Sequence, residues 1–271
     1  MEEARLQTAI GKVEEGKILV RGYPLEELIG NLTYAAILFL TMKGELPTAK
    51  QEKMMNAVLT GITDHFFINA AVPAARFVVA GNPASPTAGV AAGILSLGGV
   101  TGSPQESGEF IEQAYRFMKQ NHLTLEEAAK QFLIIYKDKK KKIPGFGHIL
   151  HPEGDPRAIR LRQLSEKYGI LGEKTRLYEA INRKVVESLG GKKLPINVDG
   201  MMAACLSEME IDPLYMGCMG VVSFLPGIIS HVVEEIKSPD RFGIRRSFYQ
   251  RLDAIYTGPA ERHLPKEFIK D

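Results

Sequence analysis

The chain has 271 residues, of which 45% are hydrophobic and 24% charged. This composition is typical of a soluble globular protein with a sizeable core, and the formal net charge of +2 implies no general affinity for nucleic acid. The two cysteines, Cys205 and Cys218, form no Cys-x-x-Cys pair and have no histidine close by. This argues against a disulfide framework and a metal site, and it favours a reduced, cytoplasmic setting.

No membrane partner is expected from the start of the chain. The first ten residues are charged and lack the apolar core of a signal peptide. The apolar run Leu32–Met42 is too short to cross a bilayer.

The elements predicted in chain order are a hairpin followed by helices. Polar–apolar alternation over residues 7–22 predicts the hairpin. Apolar residues at helical spacing then predict helices near 25–29, 34–42, 47–62, 64–80, 87–97, twice within 105–136, and at 158–167, 172–189, 199–209 and 213–236. Residues 137–157 are predicted to be a loop, and the basic tail 237–271 to lie on the surface or on a partner subunit. Strands and helices do not alternate, so the chain is predicted to be all-α rather than a Rossmann or TIM fold.

The loop at residues 144–157 is the most informative segment. It combines two histidines with Arg157, and it follows the lysine run 139–142. Gly145 and Gly147 allow the backbone to bend sharply and approach a ligand. His148 would exchange protons near neutral pH, and Arg157 would bind a carboxylate in a bidentate manner. This pattern predicts a site for a small polycarboxylate, the alternative being an exposed loop histidine and a surface arginine.

Three further positions and the lysine run 139–142 also need interpretation. Asp199 precedes an apolar helix, where it is either a plain N-cap or a carboxylate base. A helix N-terminus would lower its pKa and burial would raise it. His65 is either structural or part of the site, and His231 on an apolar helix suits a core or interface histidine. The lysine run is either a solvated patch or a phosphate contact.

Several ordered motifs occur along the chain, of which the most specific is Gly145-Phe146-Gly147-His148 followed by Asp155-Pro156-Arg157. The others are residues 17–23 with 44–48, Asp64-His65 with Asn69 and Arg76, Asn197-Val198-Asp199-Gly200, and Tyr256-Thr257-Gly258-Pro259. Together they resemble the citrate synthase superfamily, and within it the citryl-CoA lyases, including the C-terminal module of ATP-citrate lyase.

The resemblance implies an all-α, citrate synthase-like fold with a short N-terminal hairpin. A large helical domain would comprise residues 1–100 and 200–271, and a smaller mobile helical domain residues 101–199, whose closure would form the site. The catalytic residues would be His148 and Asp199. Substrate would be bound by His65, Asn69, Arg76, Arg157 and an arginine of the tail, for which Arg245 is the first candidate beside Arg246 and Arg251. Coenzyme A would be bound by Ile143, Pro144, Gly145, Phe146 and Gly147.

Two positions depart from the family pattern. Thr101 stands where the synthases have a histidine that would hydrogen-bond the thioester enolate, a loss that disfavours condensation. Phe224 stands where an arginine that clamps a carboxylate is expected.

The resemblance therefore implies a citryl-CoA lyase that cleaves (3S)-citryl-CoA to acetyl-CoA and oxaloacetate. A condensing enzyme of the citrate synthase type and a non-catalytic, coenzyme A-binding family member are the alternatives. No bound cofactor is expected, because the coenzyme A thioester is substrate and product. The expected partners are these small molecules, further copies of the chain in a homo-oligomer, and a citryl-CoA synthetase coupled in function, with neither nucleic acid nor membrane.

Overall fold

A computed structural model describes residues 6–98, 102, 104–138, 142–238, 243–251, 253–255, 257–258 and 260–263. The predicted hairpin is confirmed: β1 (Gly11–Glu14) and β2 (Lys17–Val20) pair antiparallel, and a short β3 (Tyr23–Pro24) extends the sheet in the order β1-β2-β3. Arg21 ties this sheet to the helical body, because its guanidinium donates to the carbonyl oxygen of Thr41 at 3.0 and 2.5 Å.

Helices make up 62% of the described chain, so the prediction of a mainly helical protein is confirmed. They are α1 (Leu25–Leu28), α2 (Tyr34–Lys43), α3 (Ala49–Thr60), α4 (Ala71–Gly81), α5 (Pro86–Leu95), α6 (Gln105–Gln120), α7 (Leu125–Asp138), α8 (Pro156–Lys167), α9 (Glu173–Ser188), α10 (Val198–Glu208), α11 (Pro213–Lys237) and α12 (Ile244–Gln250). The predicted division into a large and a small mobile domain stays a prediction.

The helix predicted at residues 64–80 begins later than expected. Residues 66–68 form a 3₁₀ turn, and α4 starts at Ala71. The cause is local: the Asn69 side-chain oxygen accepts hydrogen bonds from the amides of Ala71 and Val72 at 2.9 and 3.4 Å, which caps the helix there. Phe66 has a φ of 52°, outside the right-handed helical region. Because the segment is not helical, it can carry His65 and Asn69 on a turn.

Helix α10 forms the buried centre of the fold. Most of its side chains are buried, and it packs against α6, α8, α9 and α11. Its N-terminus, with Asp199 in the first turn, therefore lies inside the protein. The helix thereby brings a carboxylate into an apolar interior, where burial affects its proton affinity.

Helix α11 is the longest described helix and packs against α3, α4, α5, α6 and α10. By length and composition alone it could cross a membrane, a test that the core helices of soluble proteins also pass. One side of it is buried in this packing. The opposite side leaves Ile229 and Val233 exposed.

The close approach of α5 to α4 and α11 depends on Gly89. A Cβ at this position would collide with Val79 and lie 3.0 Å from Val232. We expect Gly89→Ala to lower the free energy of unfolding by about 1–3 kcal/mol, the usual cost of overpacking. Gly81→Ala, where a Cβ meets nothing within 4 Å, is the matched control. Urea denaturation of both variants would contradict this account if Gly89→Ala were as stable as Gly81→Ala.

Candidate active site

The glycine loop, residues 144–148, is fixed by backbone hydrogen bonds to the segment that precedes α10. The Gly147 amide donates to the Pro195 carbonyl at 2.7 Å, and the Asn197 amide donates to the Gly145 carbonyl at 2.9 Å. The Asn197 side chain also donates to the Gly147 carbonyl at 3.0 Å. These bonds place His148 beside the N-terminus of α10.

Only glycine fits at position 145. Its φ is 78°, and a Cβ there would collide with the hydroxyl of Tyr178 and lie 2.6 Å from the Ser107 oxygen and 2.7 Å from the Cα of Gly200. The Tyr178 hydroxyl donates to the Pro144 carbonyl at 2.8 Å. Burial raises the pKa of Tyr178, so its hydroxyl stays protonated and keeps its hydrogen bond to the loop.

His148 lies between two other imidazoles. Its ring contacts His65 edge-on at 5.2 Å and stacks on His151 at 4.6 Å. Its Nδ1 accepts from the Leu150 amide at 3.1 Å, and its Nε2 lies 3.3 Å from Nη2 of Arg157. Both ring nitrogens therefore face N–H donors. A neutral imidazole can accept at only one of them, so the Leu150 amide and Arg157 compete for a single acceptor.

His151 has no assigned role in the sequence-based prediction, although it lies in the same loop. The signal that could have found it is its spacing three residues after His148, but stacking depends on the loop conformation, which the spacing alone does not specify.

Arg157 is the charged centre of the site. Its Nε and Nη2 bind the two oxygens of Asp155 at 2.9 and 2.8 Å, and its Nη1 lies 3.4 Å from Nδ1 of His65. Asp155 is fully buried and also accepts from the Val198 amide at 3.0 Å. This carboxylate thus holds Arg157 against both histidines and connects α8 to the start of α10.

Burial and the charge of Arg157 lower the pKa values of the two histidines, and Arg157 also lowers the pKa of Asp155. Burial, and next the positive charge of Arg157, lower the pKa of His65 and of His148. Burial would raise the pKa of Asp155, but the hydrogen bonds and charge of Arg157 outweigh it and hold that pKa below its usual value. The two imidazoles are therefore neutral beside a permanent ion pair at neutral pH.

Asp199 is not the N-cap of α10, because Asn197 has that role: its side-chain oxygen accepts from the Gly200 amide at 3.0 Å. Burial raises the pKa of Asp199 to about 6, against the lowering effect of Arg157. Of the two opposing effects considered from the sequence, burial prevails. A carboxyl group with this pKa can both take up and release a proton near neutral pH.

A cavity of about 230 Å³ collects these side chains. It is lined by Ile62, His65, Ile68, Asn69, Gly102, Gly147, His148, Ile149, Arg157, Asn197, Val198, Asp199 and Phe224. Three of the lining residues have a buried polar atom without a hydrogen-bond partner in the described structure: Nε2 of His65, Nδ2 of Asn69 and Oδ1 of Asp199. Because unpaired buried polar groups are costly, they mark this cavity as the one built for a polar ligand.

Arg76 and Arg245 lie outside this cavity. The guanidinium of Arg76 is bound by Glu234 and Glu235 of α11. Arg245 lines a larger cavity of about 610 Å³ between α4 and α12, together with Arg246. Within one copy of the chain these arginines do not line the cavity that holds His148 and Asp199. Their direct contact with substrate stays a prediction.

The predicted coenzyme A segment, residues 143–147, borders a separate cavity of about 420 Å³. Pro144 and Lys142 line it together with Phe110 and Tyr136. The lysines at 139–141 lie outside the described residues. Lys142 is the one basic side chain among the described lining residues, and the carboxylates of Glu106 and Glu109 line the same cavity. Coenzyme A binding by residues 143–147 stays a prediction.

The two departures from the family pattern have different outcomes. Thr101 lies outside the described residues. Phe224 is buried and lines the cavity, and a Cβ at Gly102 would lie 2.7 Å from its ring. The structure therefore places an apolar wall where a carboxylate clamp was expected.

Across the described residues, no group of three or more His, Cys, Asp or Glu side chains could hold a metal ion.

The family model described as citrate synthase, C-terminal domain, matches residues 48–247, which is most of the chain. The protein belongs to the citrate synthase family. The resemblance noted in the glycine loop and in the Asp64-His65 motif is thus confirmed.

Curated relatives of this citrate synthase family member include citrate synthase 2 of Bacillus subtilis, 29% identical over 81% of this chain and 54% of the relative. The 2-methylcitrate synthase of Shewanella oneidensis is 29% identical over 72% of this chain and 49% of its own length. The chain spans about half the length of these relatives.

Solved structures confirm the predicted fold of this family member. The citryl-CoA lyase of Hydrogenobacter thermophilus superposes with a TM-score of 0.84 and 33% identity, over 97% of this chain and 98% of that chain. The citrate synthase of Thermotoga maritima reaches 0.64 with 20% identity, over 89% of this chain and 62% of its own. The ATP citrate lyase of Methanosaeta concilii, solved with (3S)-citryl-CoA, reaches 0.71 with 15% identity, over 87% and 39%.

The raised pKa of Asp199 makes the stability of this family member depend on pH. A carboxyl group with an ordinary pKa of 3.8 when unfolded and about 6 when folded stabilises the fold below pH 4, and this contribution is lost as the pH rises to 6. We expect Asp199→Asn to raise the free energy of unfolding at pH 7.5 by roughly 1–3 kcal/mol, with no difference below pH ~4. Urea titrations at several pH values would contradict this if the variant were no more stable at pH 7.5.

Proposed function

We propose that the protein is a citryl-CoA lyase, which cleaves (3S)-citryl-CoA to acetyl-CoA and oxaloacetate. The observation that carries the proposal is the cavity in which His148, Arg157 and Asp199 meet, with Asp199 at a pKa of about 6. The similarity to the citryl-CoA lyase of Hydrogenobacter thermophilus, in both TM-score and identity, supports it over the synthase similarities.

Cleavage of this substrate needs one proton to leave and one to arrive. The proton of the tertiary hydroxyl is removed, its oxygen becomes the keto oxygen of oxaloacetate, and the broken C–C bond leaves its electron pair on the acetyl thioester as an enolate. The enolate carbon then takes up a proton to give acetyl-CoA. A site for this reaction therefore requires a base near the hydroxyl and an acid near the methylene carbon.

His148 suits the first role. In the described structure its Nε2 lies 3.3 Å from an Arg157 nitrogen that can only donate. A substrate hydroxyl that took the place of this donor would direct its proton at Nε2. Nε2 can accept it in the tautomer that carries its own proton on Nδ1, which gives up the bond from the Leu150 amide. The low pKa of His148, caused by burial and then by Arg157, keeps the imidazole neutral and able to accept.

Asp199 suits the second role, because burial raises its pKa to about 6 and allows it to hold a proton for transfer to carbon. Arg157 and His65 would bind the carboxylates of the oxaloacetate half, and the unpaired amide nitrogen of Asn69 would donate to the same half. Residues 143–147 would contact coenzyme A.

Thr101 is the departure from the family pattern that favours cleavage over condensation. A condensing enzyme must stabilise the enolate for attack, and Thr101 replaces the histidine expected to do this in the synthases. Condensation remains the second candidate, because the curated relatives with about 29% identity are synthases.

The decisive experiment supplies (3S)-citryl-CoA and couples oxaloacetate release to malate dehydrogenase. We expect turnover by the wild type and a loss of roughly 10²-fold or more in Asp199→Asn, because proton transfer by a positioned group contributes about 10²–10⁴-fold. Asp212→Asn is the matched control: Asp212 caps α11 through the Leu214 amide, and asparagine caps equally well.

A second assay separates the two candidates. Release of free coenzyme A from acetyl-CoA and oxaloacetate at a rate above that of citryl-CoA cleavage would identify a condensing enzyme and contradict the lyase. The lyase proposal also requires a separate synthetase to make citryl-CoA from citrate and coenzyme A.

We further propose that the protein is a homo-oligomer that associates through the exposed apolar side chains of the adjacent helices α4 and α11. Phe77 and Val78 on α4 and Ile229 and Val233 on α11 are exposed. We expect Val233→Glu to convert the oligomer to a monomer, because it places a charge in a buried apolar contact. Ile135→Glu, at an equally exposed position on α7, is the control. Light scattering of an unchanged oligomer in Val233→Glu would exclude this face.

A further inference from the structure

A second polar cluster lies behind the active-site cavity, on the faces of α4 and α11 that pack together. Its centre is Arg76, whose side chain is 7% exposed. The Nε of Arg76 donates to Glu235 at 2.7 Å and its Nη1 to Glu234 at 2.6 Å. These carboxylates match both the charge and the N–H groups of Arg76, and this offsets the cost of burying an arginine.

The hydrogen bonds continue from Arg76 to His231 and then to Asp64. Nη1 of Arg76 lies 3.3 Å from Nδ1 of His231, and Nε2 of His231 lies 3.0 Å from Oδ1 of Asp64. Because Arg76 can only donate, a neutral His231 with its proton on Nε2 satisfies both contacts. The ring of Phe67 covers the cluster, 5.2 Å from the Arg76 guanidinium carbon and 5.8 Å from the His231 ring.

This chain of hydrogen bonds ends on the turn that carries His65. Asp64 immediately precedes His65, and its second oxygen accepts from the Phe66 amide at 3.2 Å. Phe66 has a φ of 52°, which is unfavourable for phenylalanine. Helix α11 also holds the turn through its backbone, since the Gly227 amide donates to the Thr63 carbonyl at 3.1 Å. The conformation of the turn thus depends on α11.

The cluster also reaches α12. One oxygen of Glu235 accepts from Arg76 and the other from the Ile244 amide at 2.8 Å. A single buried carboxylate therefore joins the start of α12 to the residues that fix the His65 turn.

We propose that Arg76, His231 and Asp64 are positioning residues that act together to hold His65 and Asn69 at the cavity. This inference rests on the proposed function for its kinetic test. It assigns Arg76 an indirect role through the turn in place of substrate contact. The proposed role is specific. The hydrogen bonds from Arg76 through His231 fix the position of the Asp64 carboxylate, and that carboxylate fixes the backbone on both sides of His65.

Asp64 is the best residue to test, because its side chain is 45% exposed and its loss leaves no buried charge unpaired. We expect Asp64→Ala to lower kcat/KM for citryl-CoA roughly 10- to 100-fold, as misplacement of a binding group does. Asp64→Asn keeps an oxygen that can accept from His231, so we expect it to restore most of the activity.

Lys174→Met is the matched control for destabilisation. It breaks a partly buried ion pair of 2.6 Å with Glu112 and a bond to the Ser207 carbonyl, and it lies on α9, which carries no residue of the cluster. We expect it to lower Tm without changing kcat/KM. An equal loss of kcat/KM in Lys174→Met and Asp64→Ala, at equal loss of Tm, would overturn the proposal.

A readout without substrate separates this proposal from the proposed function. In ¹⁵N spectra of histidine-labelled protein, the wild type should show His231 as the Nε2–H tautomer, and Asp64→Ala should shift His65 while exposed His122 stays unchanged. If the wild type cleaves no citryl-CoA, the lyase proposal fails, and these spectra still decide the positioning role. Unchanged His65 signals in Asp64→Ala would overturn it.

Discussion

The buried ion pair of Asp155 and Arg157 is the interaction on which the rest of the site depends. Asp155 has no exposed surface, and every donor it accepts from has a structural consequence. The Arg157 amide fixes the start of α8, the guanidinium is directed at two imidazoles, and the Val198 amide anchors α10. An unpaired carboxylate at this depth would be strongly destabilising. The pair is therefore tolerated only in the geometry that also assembles the cavity.

The same pair divides the ionisable groups of the cavity into two classes. Its arginine, together with burial, keeps His65 and His148 neutral. Arg157 lowers the pKa of Asp199 and Asp155 raises it, but burial is the largest influence and raises this pKa to about 6. Neighbouring groups with pKa values moved in opposite directions are the usual basis for acid and base roles at one pH.

Much of this arrangement could be predicted from the sequence, because it is encoded locally. The hairpin, the helical periods, the glycine loop and the pairing of His148 with Arg157 each depend on residues close together in the chain. The late start of α4, the stacking of His151 on His148 and the binding of Arg76 by α11 could not be predicted. The first depends on a local side-chain cap, Asn69, that the apolar spacing does not reveal. The other two depend on the conformation of a loop and on a partner helix distant in the sequence. The pKa of Asp199 likewise required knowledge of its burial, since Asn197 takes the capping role that the pattern alone offered to Asp199.

Backbone hydrogen bonds between the glycine loop and residues 195–197 position the proposed catalytic residues without using their side chains. Main-chain amides and carbonyls hold His148 and Asp199 at their relative positions, so neither side chain is needed to position the other. Such a frame does not favour one direction of reaction. Changes at the cavity wall, such as Phe224, can alter which substrate is bound and which further step follows while the frame persists. This is a physical reason why one fold can serve both enzymes that join two carbon units and enzymes that separate them.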